Sequence, residues 1–248
     1  MEIQPMNPLK VALIGYGKMG KAIELVAPNL NAEIVYIGSK NWALNPNDIL
    51  NSGAQVAIEF TQPLSAPENI GQLLQLGIPT VCGTTGWSHL ESDLRLQCAN
   101  SNGSVMVGSN FSLGVHLFFA LNKKLAQWMA GFPEYQASIH EVHHLEKKDA
   151  PSGTAITTAN LIIKNNPRYT QFTLHPNDAN ASQLQIKAER LADVKGIHQV
   201  QWDGPMDRIE LSHSAKSRDG FAIGALHAAH WILNKKGWFQ VEEMFDFQ

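Results

Sequence analysis

The sequence is short of several things, and each shortage closes off a class of protein. Its 248 residues include only two cysteines, Cys82 and Cys98, too few for a disulfide framework or a cysteine-rich zinc site and in keeping with a reducing compartment. There is no block of like charge: 19 basic residues stand against 22 acidic ones, a net charge of −3. That balance advertises neither nucleic acid nor an anionic membrane surface as a partner. No apolar run approaches the roughly 18 residues that a membrane span needs, and MEIQPMNPLK has neither the basic segment nor the apolar stretch of a secretory signal. The expected location is the cytoplasm. Repeats and low-complexity segments are lacking too. What is left, 44% hydrophobic and 17% charged, is an ordinary globular composition, long enough for one large domain or two small ones.

What is present is alternation. Lys10–Ile14, Glu33–Ile37, Gln55–Phe60, Ile78–Cys82 and Val105–Val107 read as strands, with helical patterns at 18–28, 66–76 and 88–99. This order predicts a parallel sheet with helices on both faces. The strand ends carry small polar loops, at Gly15, Thr61-Gln62-Pro63, Gly83–Gly86 and Gly108-Ser109-Asn110, which is where open α/β sheets bind ligands. The texture changes after a long helix predicted over 113–130. Tyr135, Ala137 and Ile139, then Leu184, Ile186 and Ala188, then Ile209 and Leu211 repeat with a period of two, the mark of a half-buried sheet with antiparallel neighbours. An alanine-rich helix over 221–234 follows. The predicted fold is α/β: an N-terminal Rossmann-type parallel-sheet domain (1–112 and 217–248) with an inserted α+β domain (113–216), the last helix packing back on the first domain.

Gly15-Tyr16-Gly17-Lys18-Met19-Gly20 matches G-x-G-x-x-G between a buried strand and a helix. In that setting the first glycine permits the tight turn, the second lets pyrophosphate approach the backbone, and the third lets helix and sheet pack closely. The helix start then supplies N–H donors to the phosphates. An NAD-preferring site would carry an acid at the end of the second strand. Here Gly38-Ser39-Lys40 stands there, and with Lys18 and Lys40 available the coenzyme is NADPH or NADH with a lean to NADPH.

The densest run of reactive side chains is HEVHHLEKKDAPSGTA, residues 140–155. Its opening matches the H-E-x-x-H of zinc proteases, which needs a helix to bring both histidines onto one face. The stretch alternates like a strand, so His140 and His144 would lie roughly 13 Å apart at about 3.3 Å per residue, too far for one zinc with ligands at about 2.1 Å. No metal is expected. The same residues read differently as an anion site. His143, His144 and Lys147 gather at a strand end, just before Pro151, Ser152, Gly153 and Thr154 open a helix over AITTANLIIK. Ser152 is its expected cap, and the Gly153 and Thr154 amides with the Ser152 and Thr154 hydroxyls are suited to a carboxylate or phosphate. His198 and His213 are left open between a pocket role and a structural one, and His227 and His230 read as packing or surface residues.

HHLEKKDAPSGTA resembles the signature of the 4-hydroxy-tetrahydrodipicolinate (dihydrodipicolinate) reductase family of bacterial lysine and diaminopimelate synthesis. GYGKMG at 15–20, GTTG at 83–86, SNFSLGV at 109–115, DVKGIH at 193–198 and SRDGFAIGAL at 217–226 are similar landmarks in the family's order, over nearly the whole chain. The resemblance implies an inserted substrate and oligomerisation domain and a homotetramer. It implies His143 as proton donor and Lys147 as a second catalytic cation, with His144, Lys147, Ser152, Gly153 and Thr154 holding a small dicarboxylate. For the coenzyme it implies Gly15, Gly17, Lys18, Met19 and Gly20 at the pyrophosphate. Ser39, Lys40 and Phe60 are also assigned to the coenzyme, and Gly83, Thr84, Thr85, Gly86, Gly108, Ser109, Asn110 and Phe111 to its nicotinamide side. The chain departs from the pattern in the missing second-strand acid and in Leu145-Glu146, which bear on coenzyme preference and affinity. Two other classes stay in view: another dinucleotide dehydrogenase, though a semialdehyde enzyme would want a cysteine in the second half, and a coenzyme-binding redox sensor, which would have no use for the His-His-Lys cluster.

Overall fold

The structure, a computed structural model, describes residues 7–38, 44–147, 149–174, 180–245 and 247. The chain divides into two compact units, Met1–Leu113 with Arg218–Asp246, and Gly114–Ser217.

The first unit is built on strands β1 (Leu9–Ile14), β2 (Ala32–Ile37), β3 (Val56–Glu59), β4 (Thr80–Cys82), β5 (Ser104–Val107) and β11 (Gly237–Gln240). They form one parallel sheet in the order β11-β5-β4-β3-β1-β2. The central strands are apolar on both faces because both are covered. Helices α1 (Lys18–Val26) and α7 (Asp219–Ile232) bury Ile23, Ala225, Leu226 and Ala229 against Val11, Leu13, Ile58 and Met106. On the other face α2 (Pro46–Ser52) and α3 (Ala66–Gln75) pack on Ala12, Ile14 and Ala57, while α3 and α4 (Glu91–Asn100) pack on Cys82 and Val105. Gly224 lets α7 lie close to the chain at Phe111: a Cβ there would stand 1.8 Å from the Phe111 carbonyl oxygen. The chain reverses its direction of strand addition at β1, so the crevice beyond the strand ends there is where a ligand is received.

The second unit carries α5 (Leu113–Met129), β6 (Gln136–His143), α6 (Gly153–Asn165), β7 (Gln171–Thr173), β8 (Gln183–Arg190), β9 (Ile197–Asp203) and β10 (Arg208–Ser214). Its sheet runs β10-β9-β6-β8-β7. The alternation seen in the sequence holds on β6 and β8, where Ala137, Ile139, Leu184 and Ile186, with Val200 and Trp202 of β9, form a core with Phe118 and Met129 of α5 and Ala155, Ala159 and Ile162 of α6. On β10 it does not, since Ile209 is exposed and Leu211 only partly buried. One expectation is corrected. The β9 neighbours are antiparallel, but β6–β8 and β7–β8 are parallel. Period-two patterning reports a sheet covered on one side and says nothing about strand direction. Here α6 supplies the crossover that a parallel neighbour requires.

Candidate active site

In the first unit the three glycines divide their work by geometry. Gly15 has φ +104, and a Cβ there would lie 2.1 Å from the Phe60 carbonyl oxygen; one on Gly20 would lie 2.3 Å from the Gly15 carbonyl oxygen. At Gly17 nothing stands within 4 Å of that position. The turn and the helix–sheet contact are therefore closed to side chains, while the middle position is open to a ligand. Gly17 is also the N-cap of α1, with no side chain to cap it, so the amides of the first turn face outward. Lys18 and Met19 follow as the first residues of α1, Lys18 exposed. These residues fit a dinucleotide pyrophosphate.

The neighbouring strand ends are tied together by Glu59, which is fully buried at the end of β3. It accepts from the Thr61 amide (3.2 Å), the Thr61 hydroxyl and Asn69 Nδ2 (3.3 Å), and Cys82 Sγ lies 3.1 Å away. Burial first, then the Glu59 charge, pushes the Cys82 thiol well up, so it is no nucleophile. The Thr61 amide also reaches Thr84 Oγ1 at 2.8 Å, and Trp87 Nε1 donates to the Thr84 carbonyl at 2.6 Å. These bonds hold the Gly83–Gly86 loop, in which Thr85 and Gly86 are exposed and Gly86 has φ +87. Phe60 lies where a Gly83 Cβ would be (2.1 Å) and meets Phe111 edge-on at 6.0 Å. Phe111 is 1% exposed, so its side chain supports the Gly108–Asn110 loop from beneath; Asn110 Oδ1 accepts from the Ser112 amide at 2.8 Å. Ser39 and Lys40 lie outside the described residues.

In the second unit the residues expected to act on a substrate come together. β6 ends at His143 and α6 begins at Gly153. Ser152 caps the helix, its Oγ accepting from the Ala155 amide at 3.2 Å, and its carbonyl takes the Ile156 amide at 2.9 Å. That leaves the Gly153 and Thr154 amides for a ligand, and Gly153 has nothing within 4 Å of its Cβ position. Lys147 Nζ is held by Asp149, 2.9 and 2.8 Å from its two oxygens. His144 Nδ1 lies 3.8 Å from Glu146, itself highly exposed.

His143 is 8% exposed, its ring 5.0 Å from that of His198. Burial holds its pKa below the ordinary value; the Glu141 charge works against this, and Lys147 and Arg190 reinforce it. His198, deeper in, is pushed down to about 3, chiefly by burial and then by His143 and His213. Gly196 makes room for the His143 ring: a Cβ there would stand 3.3 Å from His143 Nε2.

Among the described residues, the ligand atoms of Glu141, His143 and His198 all lie within 4.8 Å of one another, a set that shares only Glu141 with the zinc-protease pattern of His140, Glu141 and His144. The surroundings favour salt-bridge chemistry over an ion. Both Glu141 oxygens already accept from the Ser152 amide, and Arg190 Nη1 lies 3.7 Å away. HEVHH itself is strand through His143, so the zinc-protease pattern has no helix to act on.

Family models for the N-terminus and the C-terminus of dihydrodipicolinate reductase match residues 9–111 and 114–245. The chain belongs to the dihydrodipicolinate reductase family. The 4-hydroxy-tetrahydrodipicolinate reductase of Christiangramia forsetii is 39% identical over 236 residues, 95% of this chain and 97% of that protein. That of Nitrosomonas europaea is 30% identical over 268 residues, 96% and 98% of the two chains. A dihydrodipicolinate reductase from Paenisporosarcina sp. TG-14, solved with dipicolinate bound, has the same fold, with a TM-score of 0.78 at 23% identity over 96% of this chain and 100% of that one. As a member of this reductase family the chain is an NAD(P)H-dependent oxidoreductase.

Two residues of the reductase's polar cluster escaped the motif reading, Glu141, seen only as part of a zinc pattern, and Arg190; Gly196 lay within the DVKGIH landmark but was given no role. Arg190 closes the strand β8 with its side chain on the 147–149 loop, Nε donating to the Lys147 carbonyl at 3.2 Å and Nη2 to that of Asp149. A buried acid in an otherwise apolar strand face was the one signal available. His227 and His230 stay outside the cluster, His227 exposed and His230 Nε2 against the Leu30 carbonyl at 3.0 Å.

Proposed function

We propose that the chain reduces 4-hydroxy-tetrahydrodipicolinate, or its dehydrated form dihydrodipicolinate, to tetrahydrodipicolinate in the diaminopimelate route of lysine synthesis, with His143 donating the proton. The observation that carries this reading is the start of α6: Ser152 caps it, and the Ser152 amide meets the Glu141 carboxylate that also faces His143, a setting that suits a substrate both dianionic and in need of a proton. When bound, reduced nicotinamide would supply hydride to C4 of dihydrodipicolinate, the 4-hydroxyl of the hydrated form having first left as water together with a C3 proton. His143 then protonates the enamine-like carbon at C3, and Lys147, released from Asp149, offsets the charge that develops. The Ser152–Thr154 turn and His144 hold a carboxylate in register. The unit Gly114–Ser217 is read as the substrate-holding and oligomerising domain, and the protein as a cytoplasmic homotetramer. Light scattering giving a mass four times the 27.3 kDa chain supports the tetramer, and a monomer mass removes it. NADPH is preferred over NADH, since β2 ends without an acid and Lys18 is exposed at the start of α1.

The test is NADPH and NADH oxidation, followed by absorbance, with pyruvate and aspartate semialdehyde condensed in place by the synthase, in the presence of a chelator. Oxidation that depends on both precursors supports the reading and ranks the coenzymes. Coenzyme binding without turnover overturns it in favour of a sensor. His143→Gln is expected to lower kcat about 100-fold with coenzyme KM unchanged.

A further inference from the structure

Glu141 has no role in the expected catalytic set, yet it has no exposed surface at all. A carboxylate taken out of water persists only where charges and N–H donors meet it. Here they come from four elements. The Ser152 amide, at the start of α6, donates to Oε1 at 3.1 Å and Oε2 at 3.2 Å. His143 Nδ1, further along β6, lies 3.6 Å from Oε2; Arg190 Nη1 on β8 lies 3.7 Å from Oε1; His198 Nδ1 on β9 lies 3.9 Å from Oε2. Sheet register produces this meeting: β6 pairs Glu141 with His198 and His143 with Arg190. Ala137, Ile139, Glu141 and His143 share one face of β6, so the face that builds the apolar core turns polar at the strand end. The buried Nδ1 atoms of His143 and His198 have no hydrogen-bond partner, and this carboxylate is the anion beside both.

We propose that Glu141 is the positioning residue of the site: one carboxylate keeps the proton on His143 Nδ1, leaving Nε2 to face the substrate, and pins the Ser152 amide so that the start of α6 keeps its carboxylate-binding shape. This rests on reading His143 as the proton donor. The charges facing His143 are Glu141 on its own strand, Lys147 and Asp149 on the loop that follows, and Arg190 on β8, with the His198 ring on β9. Of these, Glu141 and Asp149 favour the imidazolium and the cations oppose it. Loss of the Glu141 charge therefore makes His143 give up its proton at lower pH.

Two variants separate the roles. Glu141→Gln leaves an oxygen to accept from Ser152 but removes the charge. Its kcat/KM is expected to fall off with rising pH about one unit earlier than wild type, with about tenfold lower turnover at neutral pH and unchanged coenzyme KM. Glu141→Asp keeps the charge but shortens the reach to Ser152; its pH limb stays in place while substrate KM rises roughly fivefold. A merely structural Glu141 would lower the active fraction and move neither the limb nor KM. His143→Gln runs alongside. Wild-type turnover in that variant overturns the donor reading itself. A strongly impaired His143→Gln beside Glu141 variants with the wild-type limb and KM overturns only the role of Glu141. If Glu141→Gln does not fold, Glu141→Asp decides: an unchanged substrate KM rejects the proposal.

Discussion

Gly15 and Gly17 are two residues apart and are expected to fail in opposite ways. Gly15→Ala places a methyl 2.1 Å from a backbone oxygen at φ +104, so the loss is in folding. Backbone strain of this kind costs on the order of 1–3 kcal/mol before the clash is counted, and the melting temperature should drop. Gly17→Ala meets open space at φ −84. It costs about 1 kcal/mol at most as a poorer N-cap, but puts a methyl where pyrophosphate approaches, so coenzyme KM should rise at nearly unchanged stability. Equal loss of stability in both variants would remove Gly17 from the coenzyme site. His143, the proposed donor, has a readout of its own. Because burial holds His143 below its ordinary pKa, kcat/KM, which reports the free enzyme, should decline with rising pH at a midpoint below about 6.5. A bound dicarboxylate favours the imidazolium, so the midpoint in kcat should lie higher. Coincident midpoints would mean that His143 does not feel the substrate's charge.

At the scale of elements, α6 is the crossover between β6 and the parallel strands that follow, and its start is proposed to bind the substrate. Ser152→Ala removes the Oγ that accepts from the Ala155 amide. It should cost about 1 kcal/mol of stability and raise substrate KM with coenzyme KM unchanged, measured by steady-state kinetics beside a thermal melt. A cost in stability alone would make Ser152 an ordinary cap. This device was legible in the sequence because all its parts, from His143 to Thr154, are neighbours along the chain. So were the strands of the parallel sheet, whose continuous apolar runs follow from burial on both faces. The exceptions were β7 and the parallel sheet's last strand, β11: both are as short as β3, β4 and β5 but lack a continuous apolar run to mark them. Helix α2 went unread although Asn45, Pro46 and Gly53 stand at its ends; the structure shows Asn45 accepting from two amides and Gly53 left-handed, while seven residues are too few to show a helical period. What no local pattern carries is which strand lies beside β6. The meeting of Glu141 with Arg190 and His198 joins positions about fifty residues apart, and only pairing register decides it.

The stability of the whole molecule is tied to pH through the same histidines. His198 is held at about 3 in the folded chain against 6.5 for a free histidine, chiefly because it is buried; His143 and His213 are lowered in the same direction by burial. The unfolded chain therefore binds protons below about pH 6.5 that the folded chain refuses. The stabilisation from keeping His198 neutral is fully present above that pH, shrinks by roughly 1.4 kcal/mol per unit as pH falls, and amounts to a loss of about 3 kcal/mol by pH 4.5. Asp149, lowered by Lys147, Asp203, lowered by Arg208, and Glu189, lowered by Lys187, act in a different window. Their contributions hold above the ordinary carboxylate range and fade only as pH falls through it, so they neither mask nor mimic the histidine effect at higher pH. Thermal melts at pH 7.5, 6.0 and 4.5 should show a progressive fall in Tm that begins near 6.5. His198→Asn, which has no proton to take up, should be less stable at pH 7.5 but lose Tm more slowly on acidification. An identical slope in that variant would assign the acid sensitivity to other groups, and with it deny His198 the dry environment that its position against Glu141 and His143 requires.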